Sequence, residues 1–167
     1  LGNDYLDMVI QVSIQVPCPS NSTLRDLVFR EVDRVLRQTQ LEINENQVQA
    51  FVRAFDDSIA RKLNTPRSCK RYANALAFSI PLLRGEVNPV DFLLLEALRV
   101  FYPDVYLFAR KNRQLFVGTS DWPALPRNAK EMFEARLSDA LGEVKEEERK
   151  GVTHLIILLF PKTKSLL

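Results

Sequence analysis

A chain of 167 residues with 46% hydrophobic content is long enough to bury one sizeable core, which bounds it to one domain or a little more. Its 23 basic and 21 acidic residues leave a net charge of +2, too balanced for nucleic acid or an anionic membrane to be the main partner. Two cysteines, Cys18 and Cys69, and a single histidine, His154, match no metal-ligand spacing, so zinc is not expected and free thiols in a reducing, cytoplasmic compartment are.

Met8 to Val16 alternates, with Ile10, Val12, Ile14 and Val16 on one side and Gln11, Ser13 and Gln15 on the other, as in a half-buried strand ended by Pro17 and Pro19. Ser22 or Thr23 is expected to cap a helix whose inward stripe is Leu24, Leu27, Val28, Val32, Val35 and Leu36, with Asp26/Arg30 and Asp33/Arg37 paired outside. A polar connector from Leu41 to Asn46 leads to a second amphipathic helix marked by Val48, Phe51, Val52, Phe55, Ile59 and Leu63. Asp56 and Asp57 are its notable acids. Adjacent helical residues point about 100° apart, so ion pairing or solvation fits them better than shared acid-base work.

Thr65 and Pro66 then start a helix as cap and first-turn proline. Arg67, Lys70, Arg71 and Asn74 follow the i, i+3, i+4, i+7 spacing of one face, while Cys69, Tyr72, Ala73, Leu76, Ile80 and Leu83 gather opposite. Gathered cations repel one another, and a phosphate or carboxylate relieves that repulsion, Arg by a bidentate fork and Lys as a point charge. A plain solvated face gives the same spacing.

Asn88, Pro89 and Asp91 form a strong helix start, and Val90 to Phe101 is apolar nearly all round, the central buried element, with Glu96 and Arg99 as a pair. Pro103 restarts a short helix through Phe108, and Lys111 to Gln114 reads as polar loop. Leu115 to Val117 is one of few candidate partners for the first strand, and Trp122 reads as a packing anchor. Asn128 opens a helix carrying Met132, Phe133, Leu137 and Leu141, stopped by Gly142. A charge run from Lys145 to Lys150 leads into Val152 to Phe160, where periodicity alone does not separate strand from helix. Its apolar stretch, Leu155 to Phe160, falls far short of the roughly 20 residues that span a bilayer. His154 has no nucleophile or carboxylate constellation around it in the sequence and carries no catalytic role.

Thr65 to Leu76, reading TPRSCKRYANAL, and Gly85 to Tyr106, reading GEVNPVDFLLLEALRVFYPDVY, resemble the C-terminal part of KAP-type P-loop NTPases. Asp4 to Val12 and Leu158 to Pro161 are similar to the sequence flanking that block, although Met8 stands where a family lysine is expected. The resemblance implies a helical Val152 to Phe160. It also implies a mainly α, lid-like bundle of about six or seven helices (residues 21–167), with residues 1–20 as the terminal strand of a truncated α/β P-loop core. The strand without a clear partner, a start without methionine and an end without a terminal signature fit an excised piece. There is no G-x-x-x-x-G-K-[ST] and no acidic strand end for magnesium, so the piece is expected not to catalyse alone. ATP and Mg²⁺ would belong to the intact ATPase, whose missing N-terminal core would be the partner of this piece. In that setting Arg67, Lys70 and Arg71 become candidate phosphate sensors, Arg67 first. A helical interaction or oligomerisation module without a nucleotide role is the alternative.

Overall fold

The computed structural model describes residues 18–82, 87–117 and 129–165. Among them are eight α-helices and no strand: α1 (Asn21–Thr39), α2 (Glu45–Ser58), α3 (Pro66–Ser79), α4 (Pro89–Phe101), α5 (Pro103–Lys111), α6 (Arg113–Val117), α7 (Ala129–Ala140) and α8 (Glu146–Leu159). Short 3₁₀ turns, Ala60–Lys62, Ile80–Leu82 and Pro161–Ser165, extend α2, α3 and α8. The strand expected over Met8 to Val16, Leu83 and Trp122 lie outside the described residues.

Local chemistry sets most boundaries. Ser20, not Ser22 or Thr23, caps α1, its hydroxyl accepting from the Thr23 amide at 3.2 Å. Reciprocal capping boxes start α2 (Asn44 with Gln47) and α3 (Thr65 with Ser68, Pro66 in the first turn). The Asn88 side chain accepts from the Val90 amide at 2.9 Å to start α4. Pro103, without an amide hydrogen, separates α4 from α5 at Tyr102.

The core is one contiguous cluster with two aromatic chains inside it. Phe29, Phe51, Phe55, Tyr72 and Phe101 run from α1 through α2 and α3 to α4, with consecutive ring centroids 5.5–6.1 Å apart. Phe108, Phe116, Phe133 and Phe160 tie α5, α6 and α7 to the end of α8. Phe116 explains why Leu115 to Val117 is helical rather than strand and why the polar stretch before it is not loop. The Leu115 amide bonds the Asn112 carbonyl at 2.8 Å, closing a turn that delivers Phe116 to three other rings. Helix α4 is buried as expected, and α8 is helical through Leu159, burying Val152, Leu155 and Ile156.

The approach of α8 to α2 depends on Gly151. A Cβ there would sit 2.5 Å from the Asp57 carbonyl oxygen, closer than real contacts allow, and a tight 3.1 Å from Ser58 Cα. Around that crossing Arg61 donates to the Glu147 carbonyl at 2.7 Å. Lys62 Nζ lies 2.8 Å from Glu148 Oε2 and over the Tyr102 ring, and the Tyr102 hydroxyl donates to the Ser58 carbonyl at 2.9 Å. Glu148 Oε2 accepts no hydrogen bond of good angle among the described residues, so its neutralisation rests on the lysine charge itself.

Candidate functional site

The α3 helix divides as its spacing predicts. Cys69, Tyr72, Ala73, Leu76 and Ile80 are buried, and Arg67, Lys70, Arg71 and Asn74 are exposed. The buried side is fixed by polar anchors as well as by packing. The Tyr72 hydroxyl donates to the Leu93 carbonyl at 2.8 Å, and Cys69 Sγ lies 3.5 Å from the Leu24 carbonyl. Burial pushes the Cys69 thiol up, which removes thiolate character and leaves a small hydrophobe. Tyr72 is pushed well up by burial and by the nearby Glu96 carboxylate.

The three candidate cations differ in their surroundings. The Arg71 guanidinium donates to the Val100 carbonyl at 3.0 Å, and its carbon lies 5.9 Å from the centroid of the Phe101 ring, so it is attached to the last turn of α4. Arg67 and Lys70 make no hydrogen bond or ion pair through their side chains among the described residues. Several other cations of the helical body have carboxylate partners, while others, among them Arg30, Arg53 and Arg110, have none among the described residues. Arg25 forks onto Asp56 with two 2.7 Å bonds, and Arg34, Arg37 and Arg99 meet Glu31, Asp33 and Glu96 at 2.6–3.0 Å. The basic stripe therefore does not take Asp56, whose partner is on α1, and Asp57 points elsewhere as an exposed residue.

Continuing the same face of α3, Phe78 is 74% exposed and Leu82, in the following turn, 69% exposed. A surface that is cationic at one end and apolar at the other is thus left on one helix. Elsewhere, a groove of about 270 Å³ runs beside α4 between Asp91, Phe92 and Leu95 on one wall and Leu159 and Phe160 on the other. Glu96 lies on that groove but is bonded to Arg99 at 2.6 Å, and burial raises the Asp91 carboxyl. His154 is exposed. Among the described residues no group of three or more His, Cys, Asp or Glu converges as a metal site, and no helix is long and apolar enough to cross a membrane.

Nothing in sequence spacing separates Arg71 from Arg67 and Lys70; only the fold, by bringing the end of α4 beside α3, does so. Phe78 carried a readable signal, since it lies four residues beyond Asn74 on the cationic face.

Residues 1–83 match the model of the KAP family P-loop domain. The phage T7 exclusion protein of Escherichia coli (strain K12) is 29% identical over 105 residues, 63% of this chain and 14% of that protein. That alignment reaches past the family match, whereas residues 84–167, which include the 85–106 and 158–161 blocks of the resemblance, lie beyond the family model itself. The chain spans about one seventh of the length of the curated relative it matches. No solved structure gives a significant match. Over residues 1–83, just under half of its length, the chain is similar to the KAP family P-loop domain.

Proposed function

We propose that this chain is a lid-like helical region of a KAP-type P-loop NTPase, working in the cytoplasm and coupling the ATP or ADP state of the intact protein to a conformational signal. Arg67 and Lys70 on α3 contact nucleotide phosphates held by a P-loop core in the same polypeptide, and ATP and Mg²⁺ bind in that core. The observation that carries the reading is the state of these two side chains: exposed, three residues apart on one face of α3, and without an acidic partner among the described residues. An unpaired guanidinium beside an ammonium suits a phosphate, which supplies full charge and several acceptor oxygens. The chain alone is not a catalyst on this reading. The name of the Escherichia coli relative suggests phage exclusion as one process the signal could serve.

The test is Arg67→Ala in the full polypeptide that carries this chain. Nucleotide affinity is expected to fall about tenfold, the cost of one charge-assisted contact, with the thermal midpoint unchanged because Arg67 is exposed. Unchanged affinity and turnover would remove Arg67 from the site. The exposed Phe78 and Leu82 favour a second reading, a protein-interaction or self-association module without a nucleotide role. Phe78→Ser would then abolish a partner complex or an oligomer, measured by light scattering, without touching nucleotide binding.

A further inference from the structure

Arg71 lies where two demands meet. It shares the α3 face with Arg67, four residues earlier, so an anion held by Arg67 lies within the same row of side chains. It also donates to Val100, one of the last four carbonyls of α4, which have no partner inside their own helix. A cation there further complements the negative end of the helix dipole, and the Phe101 ring supports it from below.

We propose that Arg71 is a switch residue with two competing partners, the end of α4 and a bound phosphate. This inference rests on the phosphate reading of the α3 face and adds how that face signals. A carbonyl offers one neutral acceptor at an exposed position, whereas a phosphate offers a paired set of charged oxygens that match the guanidinium fork. Phosphate capture by Arg67 and Lys70 therefore draws Arg71 off Val100, and the last turn of α4 loses its cap. The route out is short. Val100, Phe101 and Tyr102 are consecutive, and Tyr102 is the residue that bonds Ser58 on α2 and underlies Lys62. By linkage, any state that fixes the α4 end against Arg71 must weaken phosphate binding by the same factor.

The experiment is amide hydrogen exchange at residues 98–102 in the full polypeptide, with and without MgATP, for the parent, Arg71→Ala and Arg67→Ala. The parent should exchange about fivefold faster there when MgATP saturates, the low end of typical coupling for one exposed contact. Arg71→Ala should exchange fast without nucleotide and show no response to it. Arg67→Ala should respond only at higher MgATP. If Arg67→Ala leaves nucleotide affinity unchanged, the phosphate reading fails and takes this inference with it. If Arg67→Ala weakens binding but the α4 end is indifferent to MgATP in the parent, or still responds in Arg71→Ala, the phosphate reading stands and the switch is overturned.

Discussion

Gly151→Ala sets two known effects against each other. In a helix interior alanine is favoured over glycine by about 1 kcal/mol, so propensity alone predicts a more stable chain. The added Cβ, however, would sit 2.5 Å from the Asp57 carbonyl oxygen, and ordinary contact begins at 3.4 Å, so α8 and α2 must part by about 0.9 Å. The obstacle is backbone at the end of a helix, which has no rotamer with which to step aside. Overpacking of this kind costs about 1–3 kcal/mol. Here it is at the upper end, because the same displacement stretches the Arg61 to Glu147 bond, the Lys62–Glu148 contact and the Tyr102 to Ser58 bond together. The net is a loss of about 1–2 kcal/mol, or a fall in melting temperature of roughly 2–8 °C for a chain of this size. Urea unfolding followed by far-ultraviolet circular dichroism measures it, with Gly151→Val as a variant expected to lose more. An alanine variant as stable as the parent, or more so, would show that helix propensity decides this position and that the α2–α8 spacing yields freely.

Two further outcomes follow from buried polar groups. Lys62→Met leaves the Glu148 carboxylate, 4% exposed, without its counter-charge and should destabilise by about 3 kcal/mol; adding Glu148→Gln should recover most of that loss in the same urea assay. Tyr72 and Tyr102 are both pushed up by burial, so each binds its proton more tightly folded than unfolded. Their contribution is complete below the unfolded tyrosine value of about 10 and is lost as pH rises above it, because the unfolded chain then releases protons that the folded chain keeps. Stability measured from pH 8 to 11 should stay flat and then fall, and Tyr72→Phe should flatten the fall while lowering stability at pH 8.

The helices were legible wherever capping chemistry and apolar spacing agreed. The Thr65, Pro66 and Ser68 start and the Cys69 to Ile80 stripe gave α3, and Asn88 with Pro89 gave α4. Expectation failed where a tertiary contact decided. Leu115 to Val117 has strand-like composition, yet Phe116 is held in a helical turn by the rings of Phe108, Phe133 and Phe160. Gly151 follows a charge run in which glycine argues against a helix, and only the nearness of Asp57 gives it a reason. The Arg25 fork goes to Asp56 on α2, a pairing between helices that no local pattern encodes. At the candidate site the sequence supplied the cations and their common face. It did not supply the division of labour, because that depends on the direction from which α4 arrives.

The corner between α4 and α5 draws these strands of reasoning together. Three consecutive residues there answer to two helices: Val100 accepts from Arg71 of α3, Phe101 packs at a tilt against Tyr72 of α3 and supports Arg71, and Tyr102 bonds Ser58 of α2 and carries Lys62, the partner of Glu148 on α8. Two of these attachments are buried and costly to break, while the Arg71 contact is exposed and weak. A perturbation on the α3 face therefore reaches the corner through its weakest member first, and the stiff members pass it on as a movement of α2 and α8 rather than absorbing it locally. The close crossing at Gly151 makes that onward step stiff, since backbone in contact with backbone has no side-chain slack to take up. On the proposed reading, Gly151→Ala, placed far along the chain from Arg71, should loosen the coupling between the α3 face and α8, seen as a smaller response of α8 amide exchange to MgATP in the full polypeptide than in the parent.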